Sequence, residues 1–360
     1  MSNRILVPEA FIKQAKLLGI NEKVATEVFY RFHYKKGLDD LSFRISANER
    51  EKFKANLPVL RSAYKVIVFG QAETMVVQEK KKLIQEVRKE LDGLIGTFTP
   101  TRSKPQPKGV RKIALISDLH IPFHSIDAIN TMLDTNPDEI YILGDYLDMY
   151  SSSRHPKNNV IPTKNELALG ISIMDKLREH VSSITCIAGN HDNRALKALQ
   201  ATMPHILPLL LHPMELVASY FDNVNVVGLE VPNTAPEIPF GENHRFNTLF
   251  VQGNAAYSHL DTFSGATAAV DAFDWITKFN PVLGLSGVPQ VLYQAHTHRL
   301  GVTYTPGGEQ MVLLGCMCKT MSYVLDAPGK YPIPTKGFVT QYVDENNIVD
   351  LDTIKLHVVN

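Results

Sequence analysis

Apolar residues recur in two different rhythms along this 360-residue chain. In residues 8–36 and 48–95 they return every three to four positions, and acidic and basic side chains interleave at similar spacing. This rhythm predicts amphipathic helices. One of them, PEAFIKQAKLLG, begins with proline and ends with glycine, a typical pair of start and stop residues. The front of the chain is therefore predicted to be helical.

A different pattern begins at residue 110. Short apolar, β-branched runs end in polar residues and alternate with helix-like stretches such as SIDAINTMLD and TKNELALGISIMDKLREH. Alternating strands and helices predict βαβ units with a buried sheet. More strand-like runs follow from residue 247, with one helical stretch among them and a hairpin that turns near residues 345–347. The simplest arrangement is two sheets in one core, flanked by helices.

Residues 97–109, TFTPTRSKPQPKG, separate the two patterns. The stretch has three prolines and no apolar periodicity, which predicts a linker or an extended arm. The predicted organisation is a basic, mostly helical region over 1–96, a Pro-rich linker over 97–109 and a second domain over 110–360.

Charge is balanced over the whole chain but not along it. Residues 1–112 contain 23 basic and 12 acidic residues, a net charge of +11, whereas the remainder has 14 and 25, a net charge of −11. A basic front region predicts a polyanionic partner, although long surface helices rich in lysine are an equally good explanation. The longest apolar candidate, residues 205–221, is broken by two prolines and a glutamate, so no membrane span is predicted. Three cysteines cannot form a disulfide framework, and the N-terminus lacks a signal pattern, which together favour the cytoplasm.

Polar residues cluster at the carboxyl end of each predicted strand. Ligands of open α/β sheets bind at this edge, and residues two apart on a strand point the same way. Taken singly, such motifs are ordinary turns and helix caps. As a set of carboxylates, imidazoles and an amide without a thiolate, they suit Mn, Fe, Zn, Ni or Co. The residues are Asp118, His120, Asp145, Asp148, Asn190, His191, Asp192, His259, His296 and His298.

These residues form five motifs in a fixed order. They are D-x-H at 118–120, G-D-x-x-D at 144–148, G-N-H-D at 189–192, a lone His259 and H-x-H at 296–298. Together, over residues 110–320, the motifs resemble the calcineurin-like metallophosphoesterases. The resemblance implies an α/β fold, a four-layer αββα double β-sandwich core, to which this chain adds its N-terminal helical region. It also implies a metal-dependent phosphoric ester hydrolase with two divalent cations, and makes 110–360 the catalytic domain.

The resemblance also implies a role for each motif residue. The ligands of one cation would be Asp118, His120 and His298, and those of the other Asn190, His259 and His296, with Asp145 bridging the two. His191 would act as the general acid, oriented by Asp148, while a metal-bridging hydroxide attacks phosphorus. Manganese is the expected cation, with iron, zinc, nickel or cobalt as alternatives.

Two positions depart from the pattern of the family. Ala295 stands where a glycine usually precedes H-x-H. Met149 stands where members that act on phosphoserine proteins usually carry arginine, so protein phosphatase activity is not expected. Arg154, His155 and His124 are further loop candidates for contacting a substrate phosphate, with an ordinary surface role as the alternative.

Three functions stay open at this point. The basic front region favours a phosphodiesterase that acts on nucleic acid or nucleotides. There, the aromatic residues at 29, 30, 32 and 34 would either stack bases or, as their helical spacing favours, pack in a core. A phosphomonoesterase for a small metabolite or nucleotide, with the front region as a lid or an oligomerisation element, is the second function. A non-enzymatic binding protein is the third, and it is disfavoured because every predicted ligand is present.

Overall fold

The computed structural model describes the chain with several gaps. The described residues are 7–18, 20–33, 56, 60, 81–96, 99, 101–105, 107–153, 161–200, 212–228, 248–265, 267–283, 287–320 and 333–359. The chain divides into two compact units, Met1–Lys82 and Leu83–Asn360. The predicted division at residues 97–109 stays a prediction.

The smaller unit has two described helices, α1 (Glu9–Leu17) and α2 (Glu22–His33). The side chain of Asn21 accepts a hydrogen bond of 2.9 Å from the Val24 N–H and so caps the start of α2. The two helices share a buried apolar cluster that includes Phe11 and Phe29, whose rings meet edge to face. Phe29 is therefore a core residue, whereas Tyr34 lies outside the described residues.

The larger unit is built from two sheets and most of the helices. Its helices are residues 81–95 (α3, whose first two residues belong to the smaller unit), α4 (Ile126–Leu133), α5 (Thr163–Glu179), α6 (Arg194–Gln200), α7 (Pro213–Ala218) and α8 (Ala268–Leu283), with a 3₁₀ turn at Tyr150–Ser152. Its strands are β1 (Arg111–Ile116), β2 (Glu139–Leu143), β3 (Ser183–Ile187), β4 (Val224–Val226), β5 (Leu249–Gln252), β6 (Ala255–Ser258), β7 (Val291–Gln294), β8 (Gly301–Tyr304), β9 (Gln310–Leu313), β10 (Gly337–Val343) and β11 (Val349–Val358).

Both sheets are mixed, with a parallel centre. Sheet A has the order β11-β10-β1-β2-β3-β4, in which β1 to β4 are parallel and β10 and β11 are antiparallel additions. Sheet B has the order β5-β6-β7-β9-β8, in which β6, β7 and β9 are parallel. The carboxyl ends of the parallel strands of each sheet therefore share one edge.

Three apolar layers hold the sheets and helices together. Side chains alternate along β1, so that Ile113 and Leu115 pack between the sheets while Ala114 and Ile116 pack against the helices of sheet A. Helices α4, α5 and α7 cover the outer face of sheet A, and α8 covers the outer face of sheet B. This order of layers confirms the predicted αββα double sandwich with added N-terminal helices.

The segment between Leu83 and β1 packs within the larger unit. Leu91 of α3 is buried in the layer between sheet A and its helices. The guanidinium of Arg88 donates to the Ser219 carbonyl, and the Thr101 N–H donates to Asp175 on α5 at 2.9 Å. The described residues between Leu83 and β1 are therefore attached to the rest of the larger unit at several points.

β4 is a three-residue strand that the sequence pattern did not predict. Within the described ranges, every helix is too short or too polar to cross a bilayer.

Candidate metal centre

The candidate site lies where five parallel strands end. D-x-H follows β1, G-D-x-x-D follows β2 and G-N-H-D follows β3, while His259 follows β6 and H-x-H follows β7. Sheet A supplies the first three motifs and sheet B the last two. The site therefore spans the edge of both sheets.

The backbone at these motifs differs from the expected strand geometry. β1 ends at Ile116, so Asp118 and His120 do not lie on a strand, and both have a left-handed backbone with φ of 54° and 46°. His296 and His298, with φ of 76° and 54°, repeat this arrangement after β7. The prediction that strand alternation aims these pairs is wrong. Left-handed turns, which non-glycine residues rarely adopt, aim them instead.

The first cluster joins the two sheets through the buried side chains of Asp118 and His120 and the partly buried side chain of His298. His298 Nε2 lies 3.1 Å from Asp118 Oδ1 and 3.2 Å from His120 Nε2, and His120 Nε2 lies 3.7 Å from Asp118 Oδ1. Bond lengths of about 2.1 Å place neighbouring ligand atoms of one cation about 3.0 to 3.4 Å apart. The two distances from His298 fall within this range and the third, 3.7 Å, lies slightly above it, so the three atoms are close enough to surround one ion.

The second cluster has a similar spacing. His259 Nε2 lies 3.3 Å from Asp145 Oδ2 and 3.2 Å from Asn190 Oδ1. His296 completes this group, since a ring nitrogen of His296, one of His259 and a carboxylate oxygen of Asp145 lie within 4.8 Å of one another. The Nδ1 atom of His259 donates to the Leu143 carbonyl at 2.8 Å, which orients the ring so that Nε2 faces the cluster.

Asp145 lies between the two clusters. Its Oδ2 is 3.3 Å from His259 Nε2 and 3.7 Å from His120 Nε2, one imidazole from each cluster. Its Oδ1 accepts the backbone N–H of His191 at 2.7 Å, which fixes the orientation of the carboxylate. Asp118 links the clusters a second time, because its Oδ2 accepts the His296 N–H at 3.3 Å.

Asp148 orients two imidazoles and one guanidinium. Its Oδ1 lies 3.0 Å from His120 Nδ1 and 2.7 Å from His191 Nδ1. Arg194 donates to its Oδ2 at 3.3 Å and to its backbone carbonyl at 3.0 Å. The Nη2 atom of Arg194 also lies 2.7 Å from His191 Nε2. Because a guanidinium can only donate, His191 accepts at Nε2 and carries its proton on Nδ1.

In the first cluster, Asp118 and the neighbouring imidazoles stabilise each other's charged forms. Burial alone would raise the pKa of Asp118, but attraction to His298 and contacts with His120 hold it well below its ordinary value. Burial alone would lower the pKa of His120, but its contacts with Asp118 and Asp148 raise it to about 9. A protonated imidazole thus faces the carboxylate here, and a bound cation would displace that proton.

In the second cluster, too, a carboxylate and an imidazole shift each other's pKa. The pKa of Asp145 lies well below its ordinary value because His259 and His191 outweigh the effect of burial. In turn, Asp145 raises the pKa of His259 to about 10 against the effect of burial. The pKa of His191 is shifted in the opposite direction to those of His120 and His259. Burial and the neighbouring cationic His120 and Arg194 lower its pKa to about 4, so its imidazole is neutral near pH 7.

Two glycines allow the strands to approach this closely. A Cβ atom on Gly144, where φ is 79°, would lie 2.5 Å from Cγ of His259. A Cβ atom on Gly189 would lie 2.7 Å from Cγ of Asp145. Both glycines belong to the sequence motifs, and the requirement for them is steric.

Two buried carboxylates support the site without joining a cluster. Asp192 accepts the N–H of Leu147 and of Gly189, each at 2.8 Å, and so ties the loops after β2 and β3 together. Glu166 of α5 accepts the N–H of Met149 and, at 3.1 Å, of Tyr150. Burial raises the pKa of Glu166 to about 7. The sequence gives no indication that Glu166 supports the site, because this residue lies within an ordinary amphipathic helix.

Sequence reasoning also missed Arg194 and two thiols. Arg194 follows G-N-H-D by two positions, where a surface arginine would be equally ordinary. Cys316 and Cys318 are buried, as residues of an apolar run usually are. However, their sulfur atoms lie within 4.8 Å of a ring nitrogen of His298 and of each other.

The residues present fit divalent cations. Asp118 Oδ1 is completely buried and, among the described residues, accepts no well-formed hydrogen bond although two imidazole nitrogens face it. A buried carboxylate oxygen of this kind needs a positive partner. Three groups of carboxylate and imidazole ligands, all with atoms within 4.8 Å of one another, surround this position and that of Asp145. Oxygen and imidazole ligands suit Mn, Fe, Zn, Ni or Co.

The structure brings together every predicted site residue. Asp118, His120 and His298 form one cluster, Asp145, Asn190, His259 and His296 form the other, and Asp148 and His191 lie beside them. Their individual roles stay predictions. Of the loop candidates, Arg154 and His155 lie outside the described residues, and His124 is paired in an isolated bridge with Cys318.

Comparison with known proteins gives one family and several distant structures. The family model for calcineurin-like phosphoesterases matches residues 111–312. A Vps29 mutant from Entamoeba histolytica has 12% identity and a TM-score of 0.32, and the match covers 69% of this chain and 98% of that chain. A predicted phosphoesterase from Streptococcus pneumoniae has 9% identity and a TM-score of 0.28, covering 70% and 100% of the two chains. PhoD has 14% identity and a TM-score of 0.29, covering 58% and 46%. The curated proteins include no match.

Proposed function

The chain belongs to the calcineurin-like phosphoesterase family, and we propose that it is a phosphodiesterase that acts on nucleic acid or nucleotides. Membership makes it a metal-dependent phosphoric ester hydrolase. The observation that carries the proposal is the convergence of carboxylates and imidazoles from both sheets at one edge, where each cluster has two pairs of ligand atoms 3.1 to 3.3 Å apart.

We assign the ligands of two cations from this convergence. Asp118, His120 and His298 would hold one cation, and Asn190, His259 and His296 the other, with Asp145 reaching both. Two such cations neutralise the oxygens of a phosphate and lower the pKa of a water near them. The oxygen and imidazole ligands support manganese first, with iron, zinc, nickel or cobalt as alternatives.

His191 is the proposed general acid, and Arg194 controls its protonation. With Arg194 donating to Nε2 at 2.7 Å, His191 cannot release a proton from that atom. A substrate phosphate would attract the guanidinium, since arginine matches phosphate oxygens with two parallel hydrogen bonds. Nε2 would then be open to a proton, and Asp148 at 2.7 Å from Nδ1 would stabilise the imidazolium that results. His191 could then protonate the leaving oxygen.

The smaller unit supports a nucleic acid substrate. Residues 1–82 contain 16 basic and 9 acidic residues, a net charge of +7. α1 and α2 are joined by residues 18–21, a connection length typical of helix-turn-helix units that bind DNA. Lys13 and Lys23 are exposed on these helices. Cations of this kind bind phosphate backbones without reading sequence.

The cysteines support a cytoplasmic location. All three are free and buried, which fits a reducing compartment.

The proposal is tested with purified protein and Mn²⁺. Turnover is measured on bis-p-nitrophenyl phosphate, p-nitrophenyl phosphate and single-stranded DNA, and DNA binding is measured over a range of salt concentrations. We expect turnover of the diesters and binding that weakens steeply as salt rises. The double variant Lys13→Glu/Lys23→Glu should bind DNA more weakly and reduce the salt slope by about 1 to 2.

Lys355→Glu is the matched control, because Lys355 is an exposed lysine on β11 of the larger unit. DNA binding that falls equally in this control would argue against the smaller unit as the binding surface. Turnover of the monoester alone would favour a phosphomonoesterase for a small metabolite or nucleotide. A protein that binds Mn²⁺ but hydrolyses none of the three substrates would contradict a hydrolase.

A further inference from the structure

Two of the three cysteines lie beside the metal centre rather than in an apolar layer. Cys186, Cys316 and Cys318 are all buried and free. Cys186 belongs to the apolar layer between sheet A and its helices, whereas Cys316 and Cys318 belong to none of the apolar clusters of the described residues. Packing as a small hydrophobic residue accounts for Cys186 alone.

The backbone holds both thiols in place. The Cys316 N–H donates to the Thr335 carbonyl at 3.0 Å, and the Cys316 carbonyl accepts the Gly337 N–H at 3.1 Å. Between the thiols, the Met317 N–H donates to the Ser117 carbonyl at 3.0 Å. Cys318 pairs with His124 in an isolated bridge. Both cysteines are therefore fixed to the segment that carries the first cluster.

His298 is held in the same framework. Its carbonyl accepts the Thr335 N–H at 2.8 Å, and Thr335 in turn accepts from Cys316. A ring nitrogen of His298 and both sulfur atoms lie within 4.8 Å of one another. The side chain of His298 is 15% exposed, so this group has a route to solvent.

We propose that His298, Cys316 and Cys318 form a binding site for one thiophilic cation, such as Zn²⁺ or Cd²⁺. Two sulfur atoms and one imidazole are soft ligands that select such ions, whereas the clusters built on Asp118 and Asp145 offer oxygen and imidazole to harder ions. Three protein ligands and one open position are also a common coordination for zinc.

The bonds and protons balance when a cation binds at this site. Two S–H bonds break, two sulfur–metal bonds form, and the two protons pass to the solvent. The imidazole binds through a nitrogen lone pair, and any proton on that nitrogen passes to the solvent as well. No electron is transferred, so the site needs no oxidant or reductant.

The site shares one residue with the first cluster. His298 lies 3.1 Å from Asp118 and 3.2 Å from His120, and it also belongs to the thiol group. A thiophilic cation therefore competes with the ion of the first cluster for one imidazole. An excess of Zn²⁺ or Cd²⁺ acts as an inhibitor of any activity that depends on that ion.

The test is a titration of the full chain with Cd²⁺ in the presence of Mn²⁺ and without substrate. The ultraviolet charge-transfer absorption of the cadmium–thiolate bond reports binding at sulfur. We expect the band to saturate at one Cd²⁺ per chain, and to weaken when the Mn²⁺ concentration is raised. Cys316→Ser and Cys318→Ser should each diminish the band, whereas Cys186→Ser, the matched buried thiol, should keep it.

X-ray absorption at the cadmium edge of the wild-type chain gives a second measurement that needs no variant to fold. Both sulfur ligands should appear in the coordination shell. A shell of oxygen and nitrogen only, or a band that survives both serine substitutions, overturns the site. A band insensitive to Mn²⁺ overturns the sharing of His298. Since these measurements use no substrate, they succeed or fail independently of the proposed hydrolysis.

Discussion

Gly144→Ala tests whether the close approach of the two sheets builds the second cluster. Gly144 directly follows β2 with φ of 79°, and its Cα faces the imidazole of His259 from sheet B. A Cβ atom there would lie 2.5 Å from Cγ of His259 and 2.9 Å from Cα of Gly189. His259 cannot retreat without losing its 2.8 Å contact with the Leu143 carbonyl. The substitution should therefore displace a proposed metal ligand.

Two costs add at this position. A left-handed backbone costs an alanine roughly 1 to 2 kcal/mol relative to glycine. Overpacking in a well-packed interior costs roughly 1 to 3 kcal/mol more. We therefore expect Gly144→Ala to lower the free energy of unfolding by about 2 to 5 kcal/mol.

Gly109→Ala separates the two costs. Gly109 has φ of 81°, close to that of Gly144, but a Cβ atom there would meet nothing within 4 Å. Urea denaturation of both metal-free variants measures stability, and elemental analysis after dialysis against Mn²⁺ measures bound metal. We expect Gly109→Ala to lose only the backbone contribution and to keep all its metal. If Gly144→Ala loses no more stability than Gly109→Ala and binds as much Mn²⁺, the steric account of this glycine is wrong.

Three further predictions concern individual side chains. His191→Ala should keep its bound metal but lose about 100-fold or more in turnover on esters with poor leaving groups, and an unchanged rate on such esters would remove His191 as the acid. Asp145→Asn should lose metal from both clusters, which elemental analysis would detect, and full metal content would contradict the position of Asp145 between them. Glu166 has a pKa raised to about 7 from 4.5, so its stabilisation is complete below pH 4.5 and is lost as pH rises through 7. The free energy of unfolding of Glu166→Gln, relative to wild type, should therefore rise by about 3 kcal/mol between pH 4.5 and pH 8, and a pH-independent difference would show that burial does not perturb this carboxyl.

The sequence predicted which residues meet but not how they are aimed. Asp118 and Asn190 could be placed together because each follows a buried parallel strand, and the ends of such strands share an edge. The left-handed backbone at Asp118 and His298 could not be predicted, because no glycine marks these positions and aspartate and histidine adopt this conformation only occasionally.

Other features escaped prediction because their partners are distant or their pattern is ordinary. β4 has three residues, too few for a periodicity to appear. Cys316 reads as a core position in an apolar run, and its neighbour His298 is set by the packing of β7 and β9 rather than by spacing along the chain. Arg194 has no signal beyond its position after G-N-H-D.

The left-handed backbone of residues at the strand ends costs conformational free energy at the site. Six non-glycine residues there have positive φ: Asp118, His120, Asp145, Met149, His296 and His298. At roughly 1 kcal/mol each, they oppose folding by about 6 kcal/mol, a large part of the 5 to 15 kcal/mol that holds an ordinary domain together. Directed evolution for heat resistance alone should therefore select substitutions at these positions first. A thermostable descendant would have unstrained turns there and a metal centre that no longer functions.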